Sequence, residues 1–391
     1  MKLYDVADFI KKLINVVIVI VFLVAGAIYA TPFVTRIINQ AQKSTVKEEI
    51  PYKLDPINFT QDNTLKYDLL DTRILYIGNA QTQWENLENK TLKVYEYNFS
   101  TLEDIDYLPK AKKIAFENGY DDLNIIDNGE ISNKFIWGKN GLQFEINKVN
   151  KKMTQFPQNS NLAALKAYLT SGNFITTDTP EGFAKKFLEI SGRFTKEELD
   201  TLTFEPTFLR FESNYLIEGN NISSELAYLK VFRNLENFKV VSKRYDFPQI
   251  YFYVASLRPE IENSFKNYRY PFFKLNKTDY KTSFDSYQFE LNPLPNVLEN
   301  QLKTKNFVIS EIKINNSNFG YIPNKETSKI KTISIESFEL SYYDNFDETS
   351  INNYVQPIYV FKGSVELETG EKGRITLYTP ALNPKYYSVA K

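Results

Sequence analysis

The densest acidic run, Asp121-Asp122-Leu123-Asn124 with Asp127-Asn128-Gly129-Glu130, is where residue types first suggest a bound cation. A calcium loop needs oxygen ligands at alternate positions and a glutamate at its twelfth. Ile125 and Ile126 interrupt that spacing, so a solvated turn is the expectation and a cation site the alternative. Asp344, Asp347 and Glu348 form a second cluster with the same two readings. Ser328 to Lys331 spell SKIK and match the letters of a Ser-Lys nucleophile motif. They precede a strand, whereas such a serine belongs on a helix in a cleft. No catalytic, cofactor-binding or metal-binding residue is therefore assigned, and no cofactor is expected.

Composition removes other chemistries. The 391 residues include no cysteine and no histidine. That excludes disulfides, thiolate nucleophiles and cysteine zinc sites. It also excludes a Ser-His-Asp triad and an HExxH site. A carboxylate-based enzyme remains as the enzymatic alternative to a non-enzymatic protein. Lys+Arg 47 against Asp+Glu 48 gives a net charge of −1, and no basic stripe stands out, so no nucleic-acid partner is expected. The chain is rich in rings, with 30 Phe and 27 Tyr. AT-rich codon usage accounts for this, with a sugar- or peptide-stacking surface as the functional alternative. At alternating strand positions such rings usually pack cores. Asn58, Asn89, Asn98, Asn221, Asn276 and Asn315 each begin an N-x-S/T triplet, which matters only in a eukaryotic secretory pathway.

The elements that must position these residues begin with a segment of membrane length. Leu13 to Ala30 read LINVVIVIVFLVAGAIYA, with Asn15 as the one strongly polar side chain and no charge. At ~1.5 Å per helical residue the run spans ~27 Å, close to the thickness of a bilayer's hydrocarbon core. It reads as a single-pass signal anchor over residues 13–31, with a cytoplasmic N-terminus (1–12) and a juxtamembrane linker (32–52). Lys2, Lys11 and Lys12 precede it and only Arg36 follows closely, which places the large C-terminal part outside the cell membrane. The alternative is a signal peptide cleaved near Ala25-Gly26-Ala27, and both readings export the chain. Asn15 has two readings, a hydrogen bond to a partner helix or contact with head groups.

Three segments then repeat one order, a capped helix followed by strands. They are 53–160, 161–258 and 259–391. Pro109 opens the first helix and Gly119 ends it. Strands follow in ISNKFIW, GLQFEINKV and KKMTQF, with a turn at Gly138-Lys139-Asn140-Gly141. Thr179 caps the second helix, Pro180 opens it and Gly192 stops it, and Thr195 with Glu198 forms a capping box for another. In the strand SELAYLKVFR, Ala227, Leu229 and Val231 share one face and Tyr228, Lys230 and Phe232 the other. The third helix is PLPNVLENQLKT, between Pro293 and Thr304. Pro357, inside a later strand, argues for an edge or a bulge. The expected class is α+β, each helix covering one face of an antiparallel sheet whose other face is partly wet.

The last segment carries a recognisable pattern: TISIESFELSYYDN, then YVQPIYVFKG, then a short strand ending in TPAL, with NPLPNVLENQLKT upstream. This resembles the C-terminal part of YycI/YycH-type proteins and the related PepSY fold over residues 250–385, with a looser echo in 175–255. The resemblance implies PepSY/YycI-like modules behind one anchor, and regulation of a membrane histidine kinase through anchor and domain contacts. Residues 53–160 lie outside it. The functional expectation is a non-enzymatic, membrane-anchored extracytoplasmic regulatory protein of the bacterial envelope. Its partners would be the cytoplasmic membrane and a membrane protein. An envelope-ligand module for peptidoglycan, glycan or peptide is the alternative.

Overall fold

The computed structural model describes residues 52–59, 62–98, 107–158, 162–171, 174, 179–345 and 353–388. The expected anchor at 13–31, its flanks, Asn15, Asp347 and Glu348 lie outside the described residues. The first strands are β1 (Arg73–Tyr76), β2 (Thr91–Leu92), β3 (Tyr95–Asn98), β4 (Ile125–Asn128), β5 (Lys134–Lys139), β6 (Leu142–Asn147) and β7 (Met153–Pro157). Next come β8 (Thr203–Glu212), β9 (Tyr215–Glu218), β10 (Leu226–Phe232), β11 (Asn234–Leu235), β12 (Phe238–Val241), β13 (Ile250–Ala255) and β14 (Phe272–Leu275). The last are β15 (Asp279–Thr282), β16 (Phe289–Glu290), β17 (Val308–Ile314), β18 (Ile330–Tyr343), β19 (Tyr354–Leu367) and β20 (Lys372–Pro380). Helices α1 (Ala80–Glu85), α2 (Leu108–Glu117), α3 (Pro180–Ser191), α4 (Lys196–Thr201) and α5 (Leu294–Val297) are short.

Local chemistry sets these elements. Asn140 (φ 56°) and Gly141 (φ 74°) make the two-residue turn from β5 to β6, the left-handed pair that Asn-Gly supplies cheaply. The Thr179 hydroxyl accepts from Gly182 N–H (3.1 Å) at the start of α3, and Gly192 ends it in the left-handed region. Thr195 and Glu198 close the expected capping box on α4. The expected third helix forms only one α turn, α5, and continues as a π-helical turn at Leu298–Leu302.

Pairing over long distances then overrides the expected modules. Sheet I has nine antiparallel strands in the order β4-β5-β6-β7-β14-β13-β10-β8-β9. Sheet II runs β11-β12-β18-β19-β20-β17, with β1 on β18, β3 on β19 and β15 on β3. β1 and β12 both lie parallel to β18, one at each end of its 14 residues. The protein is thus mostly β, with a curled sheet, and the expectation of α+β modules of PepSY/YycI type is corrected. The helix signals were local and mostly sound. The sheets, however, gather strands from all three segments, as β7 does with β14 and β1 with β18. Among the described residues no helix is long and apolar enough to cross a membrane.

Helices α2 and α3 lay Ala111, Ile114, Ala184 and Phe187 against Phe144, Leu229, Phe252 and Phe273 on one face of sheet I. Phe187 meets Phe273 edge-on with ring centroids 4.8 Å apart. Fully buried Gln155 accepts from Asn118 Nδ2 (2.7 Å) and donates to the carbonyls of Asn267 (2.8 Å) and Tyr270 (2.6 Å). This ties the end of α2 to the sheet. The face split in β10 is as expected, but Tyr228 enters a second core with Leu209, Tyr253 and Leu257, so the expected wet face is covered there. Pro357 pairs with Tyr342 inside sheet II rather than at an edge. Its carbonyl accepts from Ala381 N–H (3.1 Å) where β20 ends.

Two glycines allow sheet II to close up. A Cβ on Gly363 would stand 2.0 Å from the Ser334 carbonyl oxygen, and one on Gly373 2.1 Å from that of Lys313. Gly141 has open space but a left-handed backbone. Gly363→Ala is expected to destabilise by about 3 kcal/mol or more through backbone overpacking, and Gly141→Ala by only about 1 kcal/mol through strain. Urea unfolding of the two variants checks this order, and the reverse order contradicts it.

Candidate functional site

Where the sheets meet, charge gathers in two clusters. The first is a closed network. Glu205 on β8 accepts from Lys239 Nζ (2.6 Å) and the Tyr245 hydroxyl (2.9 Å) and pairs with Lys230 Nζ (3.1 Å). Lys362 Nζ on β19 donates to the Tyr245 oxygen (2.7 Å) and pairs with Glu339 of β18 (3.1 Å). The Lys230 and Lys362 ammonium groups stand 4.4 and 4.6 Å from the centre of the Tyr245 ring. Burial pushes the Glu205 carboxyl up, but Lys230, Lys239 and the Tyr245 hydroxyl more than reverse this and bring it down to about 2. A groove of about 260 Å³ opens beside the network, lined in part by Glu205, Glu311 and Glu336. Burial pushes the Glu311 carboxyl above its ordinary range, and the Thr376 hydroxyl donates to it (3.0 Å).

The second cluster is open. A cavity of about 410 Å³ collects Lys152, Lys243, Arg244 and Lys274 with a single lining carboxylate, Asp62. The amides of Asn150, Gln249, Asn276 and Asn345 share its wall. Strand register explains the gathering: Ile146 faces Met153, Met153 faces Leu275 and Leu275 faces Ile250, so the ends of β6, β7, β14 and β13 lie side by side. The loop after β12 and the end of β18 complete the wall from sheet II.

Arg244 is already engaged. Its Nε donates to Asp246 (2.8 Å), a second nitrogen lies 3.7 Å from Asp62, and its plane sits 4.9 Å from the Phe247 ring centre. Burial raises the Asp62 carboxyl, while the Thr64 hydroxyl and N–H, Arg244 and Lys243 outweigh it and hold it below its ordinary range. Lys152 and Lys243 make no salt bridge among the described residues. These two lysines, of which Lys243 acts on Asp62 only at longer range, and the wall of amides suit a phosphate or carboxylate that also carries hydroxyl or peptide groups.

No family model, curated protein or solved structure matches this chain.

The residues singled out by sequence go elsewhere. Asp121 caps a single turn through Leu123 N–H (2.9 Å), and Asp122 pairs with Lys112 (3.2 Å). Asp127 accepts from Gly129 N–H (2.7 Å), Ser132 N–H (2.9 Å) and the Ser132 hydroxyl (2.6 Å), and the last holds its carboxyl below the ordinary range. Asp344 is buried and accepts from the hydroxyls of Tyr97 (3.1 Å) and Tyr280 (2.6 Å). Lys331 pairs with Glu366 (2.8 Å), away from its motif partner Ser328, which is buried. Of the N-x-S/T asparagines, Asn276 lines the basic cavity, and its Nδ2 donates to Gln249 (2.9 Å). The cavity's lysines belonged to no motif, and no spacing in the chain singles them out.

The low Glu205 pKa makes the seam acid-sensitive. Its folded value of about 2 lies below the ordinary 4.5, so its stabilisation is present above about pH 4.5 and is lost as pH falls toward 2. Glu205→Gln should cost roughly 3 kcal/mol at neutral pH. Its stability should converge with that of the parent chain as the pH approaches 2, measured by urea unfolding at several pH values. A gap that stays constant with pH would contradict the assignment.

Proposed function

We propose that this chain is a non-catalytic, membrane-anchored binding protein of the cell envelope. Residues 13–31 hold it to the cell membrane with the large part outside, and the basic cavity takes an anionic, polar ligand. The observation that carries the reading is the convergence of four cations on one cavity with a single lining carboxylate. Like charges gathered on one wall repel each other, and a bound anion relieves that repulsion. The carboxylate-enzyme alternative has Glu311 and Glu205 on one groove in its favour. Glu205, however, is tied to two lysines and a tyrosine, and a carboxyl held near 2 is a weak general base.

A membrane-protein partner is the second reading. It is favoured by Phe116, Leu123 and Ile126, which are exposed along the connection from α2 to the edge strand β4.

Calorimetric titration of the full chain in detergent with inorganic pyrophosphate tests the first reading. Binding should weaken as salt rises. Lys152→Ala and Lys243→Ala should each weaken it by about tenfold, the value of one charge-assisted hydrogen bond. No binding, or binding indifferent to both substitutions, would overturn it.

A further inference from the structure

We propose that the anion in the basic cavity is the phosphate of an anionic membrane lipid, and that Ile131 and Val149 enter the bilayer beside it. This rests on the anion-binding reading above and names its ligand class. Ile131 is 88% exposed and Val149 62% exposed. They sit on neighbouring loop tips at the cavity's end of sheet I. Lys134 faces Asn147 across β5 and β6, which brings the loop before β5 and the turn after β6 to the same end. Lys148 N–H donates to the Asn133 carbonyl (2.8 Å), and Lys148 Nζ to that of Gly129 (3.0 Å), so the two tips brace each other.

Each tip is also held from within. Asp127 accepts from the N–H groups of Gly129 (2.7 Å) and Ser132 (2.9 Å), on either side of Ile131. Asn147 Oδ1 accepts from the N–H groups of Val149 (2.8 Å) and Asn150 (3.1 Å). The fold therefore holds the backbone of both tips in place and presents two branched apolar side chains to solvent side by side. Val149 precedes Asn150, which lines the cavity, and Lys152 follows two residues later.

The occupant is argued from charge and from the chain itself. An anionic bilayer offers phosphates to lysines and hydrocarbon to apolar tips in one surface, whereas a soluble anion satisfies only the first. Asp62 in the cavity wall lies 31 residues past the end of the expected anchor. Leu54 is already buried in the fold, so the tether is residues 32–53, which at about 3.5 Å per residue reach at most roughly 77 Å. Anionic lipid attracts each nearby lysine by an amount worth about fivefold in binding.

The test uses the absence of cysteine. Ile131→Cys, Val149→Cys and Tyr215→Cys, made singly in the full chain, each take one environment-sensitive fluorophore. Tyr215 is exposed at the opposite end of sheet I and is the control. In nanodiscs of phosphatidylglycerol, labels at 131 and 149 should report an apolar environment while that at 215 stays aqueous. In phosphatidylcholine all three should stay aqueous. Adding Lys152→Ala and Lys243→Ala together should lower the engaged fraction by about fivefold per lysine. Aqueous emission from 131 and 149 in both lipids overturns the proposal, as does an equal shift in both. If pyrophosphate still binds in a lysine-dependent way when the labels stay aqueous, only the lipid assignment fails. If it does not bind, the anion site itself fails.

Discussion

Glu205 stands charged between two sheets, and the rest of the structure depends on how that charge is held. A recessed carboxylate without partners would be expelled or protonated. Here Lys230 comes from its own sheet, Lys239 from the strand that crosses into the other, and Tyr245 from the loop beyond. Lys362 and Glu339 extend the network into the centre of sheet II. Apolar packing backs this polar seam: Phe232 and Tyr245 lie 5.3 Å apart and join Val241, Ile358, Val360 and Tyr378 in one core. Hydrophobic burial supplies the adhesion, and the ion pairs fix the alignment.

The basic cavity follows from that alignment. One part of its wall is the end of sheet I, and another is the loop between β12 and β13 with the end of β18. Arg244 illustrates the coupling, because Asp246 and Asp62 hold it one residue before Tyr245 enters the seam. Lys152 and Lys274 reach the cavity from sheet I. The site therefore exists only while the two sheets keep their register, because its cations come from both of them.

What could be read from the chain was whatever its local chemistry encodes. Thr179, Pro180 and Gly192 delimit α3 because caps and stops act over a few residues. Asn140-Gly141 marks its turn for the same reason. The long strands β10, β18, β19 and β20 were visible in their composition. β1, β12 and β14, each four residues long, were not, because no periodic pattern fits into so short a run. Their partners lie far away in sequence, and parallel pairing of β1 and β12 to β18 has no local signature. That is why two correctly placed helices, α2 and α3, still led to the wrong architecture. The cavity was hidden for a related reason: Asp62, Lys152, Lys243 and Lys274 are scattered along the chain and converge only through strand register. Asp127 was visible as an acidic residue, but its work of holding the Ile131 loop needs the positions of the N–H groups around it.

The seam makes one cooperative body of both sheets. Native-state hydrogen exchange measures this directly, strand by strand. Slow-exchanging amides of β10 in sheet I and β19 in sheet II should report the same opening free energy and the same dependence on denaturant. Two separate opening energies, with one sheet exchanging while the other stays protected, would contradict the account.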